Sequence, residues 1–130
     1  MVTPARAEAL KKVGKEIPKL QRIIALLDTG ASCSAIDQSV LDALELTPTG
    51  EVEILTPSTG KTPQKTSAYD VVIGIFAGRE GDLHYVSDAL QITASDLYEG
   101  QRIHALIGRD VLSKCIFQYN GADGQFMLAY

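Results

Sequence analysis

The segment Leu26-Leu27-Asp28-Thr29-Gly30-Ala31-Ser32 sets an acid at the end of an apolar run. An ionised carboxylate there loses hydration unless it is paired or hydrogen-bonded. Asp28 is therefore either a loop-starting acid, with Gly30 supplying a positive φ, or a group held for acid–base work. A second segment, Ala105-Leu106-Ile107-Gly108-Arg109-Asp110-Val111-Leu112, leads from an apolar strand through a glycine turn into a helix. By itself it reads as a plain strand-to-helix junction. Other chemistries compete. Ser58-Thr59-Gly60-Lys61-Thr62 matches the end of a phosphate-binding loop, yet that motif needs a glycine where Leu55 stands and a helix afterwards. Cys33 lies near Asp28, but the only histidines, His84 and His104, have no cysteine-protease context, so Cys33 reads as a packed cysteine. Those four residues lack the paired spacing of a zinc site. Asn120 to Gly124 offers two oxygen-bearing side chains, too few for calcium. No metal or cofactor is expected.

The elements that must position these groups are legible in outline. Pro4 suits the first turn of a helix, and Ala5, Ala9, Leu10 and Val13 share one side, predicting a helix near residues 4–15 with Gly14 near its end. Beyond Pro18, Leu20 to Leu27 is compact, β-branched in its middle and stops at Asp-Thr-Gly, which predicts a strand that delivers Asp28. Asp37 can cap a short helix extending to Leu44. From Glu51 the period becomes two: Val52 and Ile54, a turn at Pro57-Ser58-Thr59-Gly60, then Val71, Ile73 and Ile75 on the return predict a long hairpin. Leu83 to Ile92 reads as another strand, Ile103 to Ile107 as a short buried one, and Gly108-Arg109-Asp110 opens a helical turn through Ser113. A last hairpin pairs Ile116–Tyr119 with Gln125–Ala129 across residues 120–124. The sum is a mainly β domain with two or three short helices.

At 130 residues and 14.0 kDa the chain is sized for one domain, and 45% hydrophobic with 22% charged residues is the composition of an ordinary folded one. Sixteen acids against twelve bases give −4, which excludes a uniform basic field for nucleic acid or anionic lipid. Residues 1–22 hold six bases against Glu8 and Glu16, a solvated basic segment, and the remainder carries −8. Two cysteines cannot frame a disulfide scaffold, and the longest strongly apolar stretch, the eight residues Val71 to Gly78, is far short of a bilayer span. No signal peptide is evident, so a soluble, cytoplasmic protein is expected, with no nucleic-acid or membrane partner.

Taken together and in this order, the segments resemble the retropepsin-like aspartic proteases, the single-lobe relatives of pepsin that include retroviral proteases. The resemblance spans residues 20–130. It is carried by LLDTGAS at 26–32, TPSTGK at 56–61 where that family has its flap, YDVVIGI at 69–75 and ALIGRDVL at 105–112; CIFQYNGADGQFMLAY is similar to the closing strands of bacterial members. Residues 1–19 form a helical, basic segment where the family has an N-terminal strand, which is expected to be trimmed from the sequence.

The resemblance implies a mainly β acid-protease barrel of antiparallel strands with a flap hairpin, working on extended peptides by two aspartates that share one proton. One takes a proton from a water held between them, and the other polarises the scissile carbonyl. Only one Asp-[Ser/Thr]-Gly occurs, since every other aspartate lacks that context, so the partner of Asp28 must come from a second copy in a C2 homodimer. By resemblance, Thr29 bonds across the dyad, Gly30 permits close approach, Ala31 and Ser32 line the cleft, and Pro57, Ser58, Thr59 and Gly60 form the flap tip. Gly108, Arg109 and Asp110 support the active-site loop from below. Retroviral members commonly carry an acid at the position of Ser32 that pairs with the arginine, so Arg109 is left with backbone carbonyls or Asp110 as partners. The alternative is a catalytically silent peptide-binding or scaffolding module of the same fold.

Overall fold

Thr3 opens the first element: its Oγ accepts the Arg6 N–H, Pro4 occupies the first turn, and helix α1 extends over Pro4–Lys12. The computed structural model describes residues 1–55, 63–76 and 83–130. After α1 come β1 (Ala25–Leu27), β2 (Ala35–Asp37), α2 (Gln38–Ala43), β3 (Gly50–Ile54) and β4 (Gln64–Val71). They are followed by β5 (Gly74–Phe76), β6 (Leu83–Val86), β7 (Leu90–Ser95) and α3 (Tyr98–Gln101). The chain ends with β8 (Ala105–Ile107), α4 (Arg109–Leu112), β9 (Ile116–Asn120) and β10 (Gln125–Ala129).

Six strands form one mixed sheet in the order β1-β8-β2-β7-β4-β3. β1 with β8 and β2 with β7 are parallel; the other neighbours are antiparallel. Two further ribbons stand apart, β5 with β6 and β9 with β10. Among the described residues the sheet is open, bounded by β1 and β3, and no closed barrel forms. The main core gathers Ile36, Val40, Leu41, Leu44, Tyr69, Val71, Ile92 and Ala105 between the sheet and α2. Leu41 is fully buried, a placement that stabilises by about 1.5–3 kcal/mol. A second cluster, Ile107, Val111 and Leu112 with Leu27 and Leu128 against it, ties the β9–β10 ribbon to the junction of β8 and α4.

Three sequence expectations are corrected. Strand β1 covers only Ala25–Leu27, because its sole sheet partner, β8, is three residues long and Pro18 has no N–H to offer earlier. The return arm of the hairpin is Gln64–Val71, in register Ile54↔Gln64 to Gly50↔Ala68, and Ile75 belongs to β5, which pairs with β6. Its early residues are polar because that part of the ribbon extends beyond the core, with Gln64 and Lys65 exposed and Ala68, Tyr69 and Val71 buried. The stretch Leu83–Ile92 is two strands. Between them the Ser87 N–H donates to the Ile73 carbonyl at 2.9 Å, while the Ser87 hydroxyl accepts the Ile73 N–H at 3.0 Å. The turn at Pro57–Gly60 lies outside the described residues.

Candidate active site

Topology brings three chain positions to one end of the sheet. β1 and β8 run parallel, so Asp28 and Gly108 leave it side by side, and the Asp28 N–H continues the ladder to the Ile107 carbonyl at 2.9 Å. β2 runs antiparallel to β8 and enters the sheet at that same end, so Ser34, just before it, arrives beside the other two. The seven-residue link from Asp28 to Ser34 therefore lies over the turn that starts α4.

Within that link Asp28 is half-buried, and its Oδ1 accepts the Gly30 N–H at 2.8 Å and the Ala31 N–H at 3.2 Å. Among the described residues Oδ2 has no hydrogen-bond partner. Gly30 is not in the left-handed region, so the expectation of a positive φ fails. What the position requires is space: a Cβ there would stand 3.1 Å from Asp28 Oδ1. Thr29 and Ser32 are exposed, and Ala31 is half-buried.

The turn beneath holds this loop at several points. Arg109 Nη1 donates to the carbonyls of Thr29 at 2.8 Å and Gly30 at 3.2 Å, and the Arg109 N–H donates to the Ala31 carbonyl at 3.0 Å. Backbone carbonyls thus take the place of the missing acid partner, and among the described residues the guanidinium forms no ion pair. Gly108 is buried against Cys33, where a Cβ would stand 2.7 Å from the Cys33 carbonyl carbon and oxygen. Asp110 turns instead to Ser34: the Ser34 N–H donates to Oδ2 at 2.8 Å and the hydroxyl to Oδ1 at 2.7 Å. That hydroxyl also accepts the Gly108 N–H at 3.0 Å, and the Val111 N–H completes the Oδ1 shell at 2.9 Å. Ser34 has 0% exposure and its bond from the Gly108 N–H is buried, while the bonds to the half-buried Asp110 carboxylate are partly shielded from water.

Ser34 is the one residue of this constellation absent from the sequence reading. Its partner lies 76 positions away, and no local spacing announces the pair. Asp37, expected only as a helix cap, does more: Oδ1 accepts the Ser39 N–H and hydroxyl, and Oδ2 accepts the amides of Leu97 and Tyr98. The Ser39 hydroxyl first, then the Tyr98 amide, hold its carboxyl well below the usual carboxylate range, outweighing burial, which acts in the opposite sense. Cys33 and Cys115 are free thiols; burial under α4 pushes the Cys115 thiol up.

An apolar cavity of about 560 Å³ lies among residues that include Leu27, Ile73, Ile107 and Leu128, and none of the described residues lining it is an Asp or Glu. Among the described residues no three His, Cys, Asp or Glu side chains gather within metal-binding reach, and no helix is long and apolar enough to cross a membrane. Pro57, Ser58, Thr59 and Gly60 lie outside the described residues. No curated protein and no solved structure matches the chain. A family model described as aspartyl protease matches residues 14–111, from the end of the basic segment through the Asp28 loop, the hairpin and the Gly-Arg-Asp turn, and the chain therefore belongs to the retropepsin-like aspartyl proteases.

Proposed function

We propose that the chain is an aspartic endopeptidase, active as a homodimer in which Asp28 of each copy supplies half of the dyad. The observation that carries this reading is the state of Asp28: one carboxylate oxygen is fixed by two loop amides, while the other has no partner among the described residues. A carboxylate so divided is oriented yet still able to exchange a proton. Across a C2 axis the open oxygens of two copies face a shared water. One carboxylate, unprotonated, takes a proton from that water as it attacks the scissile carbonyl carbon, and its protonated mate donates a hydrogen bond to the carbonyl oxygen. The tetrahedral intermediate then collapses as the amine leaves with a proton returned from the dyad. Water is the nucleophile, so no covalent enzyme intermediate and no metal ligand enters the cycle.

The neighbouring residues follow from this reading. Thr29 places its hydroxyl to bond across the axis, Ala31 and exposed Ser32 border the cleft, and Pro57, Ser58, Thr59 and Gly60, outside the described residues, take the family's flap role over an extended peptide. Arg109 holds the loop through carbonyl oxygens, which leaves the amides of Gly30 and Ala31 directed at Asp28. Replacing Asp28 by Asn is the test. Peptide cleavage by the dimer is expected to fall by at least about a thousandfold with the thermal midpoint and dimer mass unchanged, because Asn can neither accept nor return the water proton. Retained turnover in D28N, or a wild-type dimer that cleaves no peptide between about pH 4 and 7, overturns the proposal and leaves a peptide-binding module.

A further inference from the structure

The Gly-Arg-Asp turn grips the active-site loop twice, at its start through Arg109 and at its end through Asp110. The second grip is the more completely built. Asp110 receives three donors, two of them from one residue, and the fully buried Ser34 uses its N–H, its hydroxyl proton and a hydroxyl lone pair. The bonds to an ionised acceptor are among the stronger in proteins. They also close a ring: Ser34 Oγ binds the Gly108 N–H, so the loop end, the glycine turn and the first residues of α4 move as one body. Between the two grips, Gly108 approaches Cys33 so closely that no side chain fits, which presses the middle of the loop onto the same turn.

We propose that Ser34 and Asp110 form a positioning pair that sets the Asp28 loop for catalysis. The inference rests on the protease reading above and adds to it residues that touch neither substrate nor water. The dyad demands that two carboxylates meet within roughly 0.5 Å of their productive placement, and each is carried on an irregular link. Arg109 alone fixes that link at Thr29, Gly30 and Ala31. The Ser34–Asp110 pair fixes where the link ends, and so removes the hinge about which residues 28–31 would otherwise swing. A displacement on the order of 1 Å at the reacting atoms is enough to cost up to about a hundredfold in rate.

Two single substitutions and their combination test the pair. Ser34→Ala removes the hydroxyl, and Asp110→Asn keeps the shape while setting an amide NH₂ against one of the Ser34 donors. Each is expected to lower kcat on the order of tenfold with KM within about twofold, in protein shown to be folded and dimeric at the assay temperature. The double variant is expected to be no slower than the slower single one, because both remove the same unit. Independently of turnover, amide hydrogen exchange at Gly30 and Ala31, the donors to Asp28, is expected to speed up on the order of tenfold in both variants, while amides of β4 keep their rates. Wild-type kcat and unchanged exchange in folded S34A and D110N overturn the pair while leaving the protease reading intact. A kcat loss that tracks only the fraction unfolded, with exchange faster everywhere, also overturns it. If the wild-type dimer cleaves no peptide, the protease reading fails, and the proposal fails with it as a statement about catalysis.

Discussion

Both oxygens of Asp37 are occupied, Oδ1 by Ser39 and Oδ2 by the amides of Leu97 and Tyr98, so one carboxylate joins the start of α2 to the start of α3. Asp28, at the end of a different strand, keeps an oxygen without a partner among the described residues. The contrast separates an acid whose two oxygens both tie elements together from the one proposed above to do the chemistry. It also fixes the sign of a pH effect. The folded state holds the Asp37 carboxyl below its unfolded value, so its contribution to stability is complete above that value, about 3.9, and is lost as pH falls from there toward the folded value. Asp37→Asn is expected to destabilise by about 1–3 kcal/mol near neutrality, measured by urea denaturation. The difference from wild type should shrink between about pH 4 and 2. An equal difference at both ends of that interval contradicts the assignment.

Strand β8 and its turn act as the template for the site, and the tightest point of that template is Gly108. Its backbone is ordinary, with φ −91°, so the demand is purely steric. Gly108→Ala would bring a methyl to 2.7 Å from the Cys33 carbonyl, and the loop or the helix must yield. The expected cost is about 1–3 kcal/mol in stability together with slower cleavage, read from a denaturation midpoint and kcat. Wild-type values of both would show that the loop does not rest on the turn. The sequence made this template visible because apolar strand, glycine turn and helix start are contiguous, and each is set by local chemistry. What it concealed was set by partners. Ile23 and Ile24 look like strand but precede the Ala25↔Ala105 start of the ladder, although the Ile24 carbonyl still accepts the His104 N–H at 2.7 Å. Gln64 to Thr66 look like loop yet pair with Val52 to Ile54, because a ribbon projecting past the core has no need of apolar residues. The Ser34–Asp110 contact depends on an antiparallel neighbour being inserted between distant segments, which no spacing rule encodes.

On the scale of the whole molecule, one copy carries one Asp-Thr-Gly at the end of an edge strand, held by its own turn and exposed at Thr29 and Ser32. A reaction needing two carboxylates must recruit the second, and symmetry offers an identical one. In the proposed shared dyad, dimer formation and catalysis are one event, and a silent copy should disable its partner. The most direct measurement mixes a fixed amount of wild-type chain with increasing amounts of D28N under conditions where subunits exchange, and follows peptide cleavage. A shared dyad predicts that about a fourfold excess of D28N reduces activity to about a fifth, the share of wild-type chains still paired with each other. Activity that stays constant as the silent chain is added would mean that each copy holds a complete site, and would contradict the account.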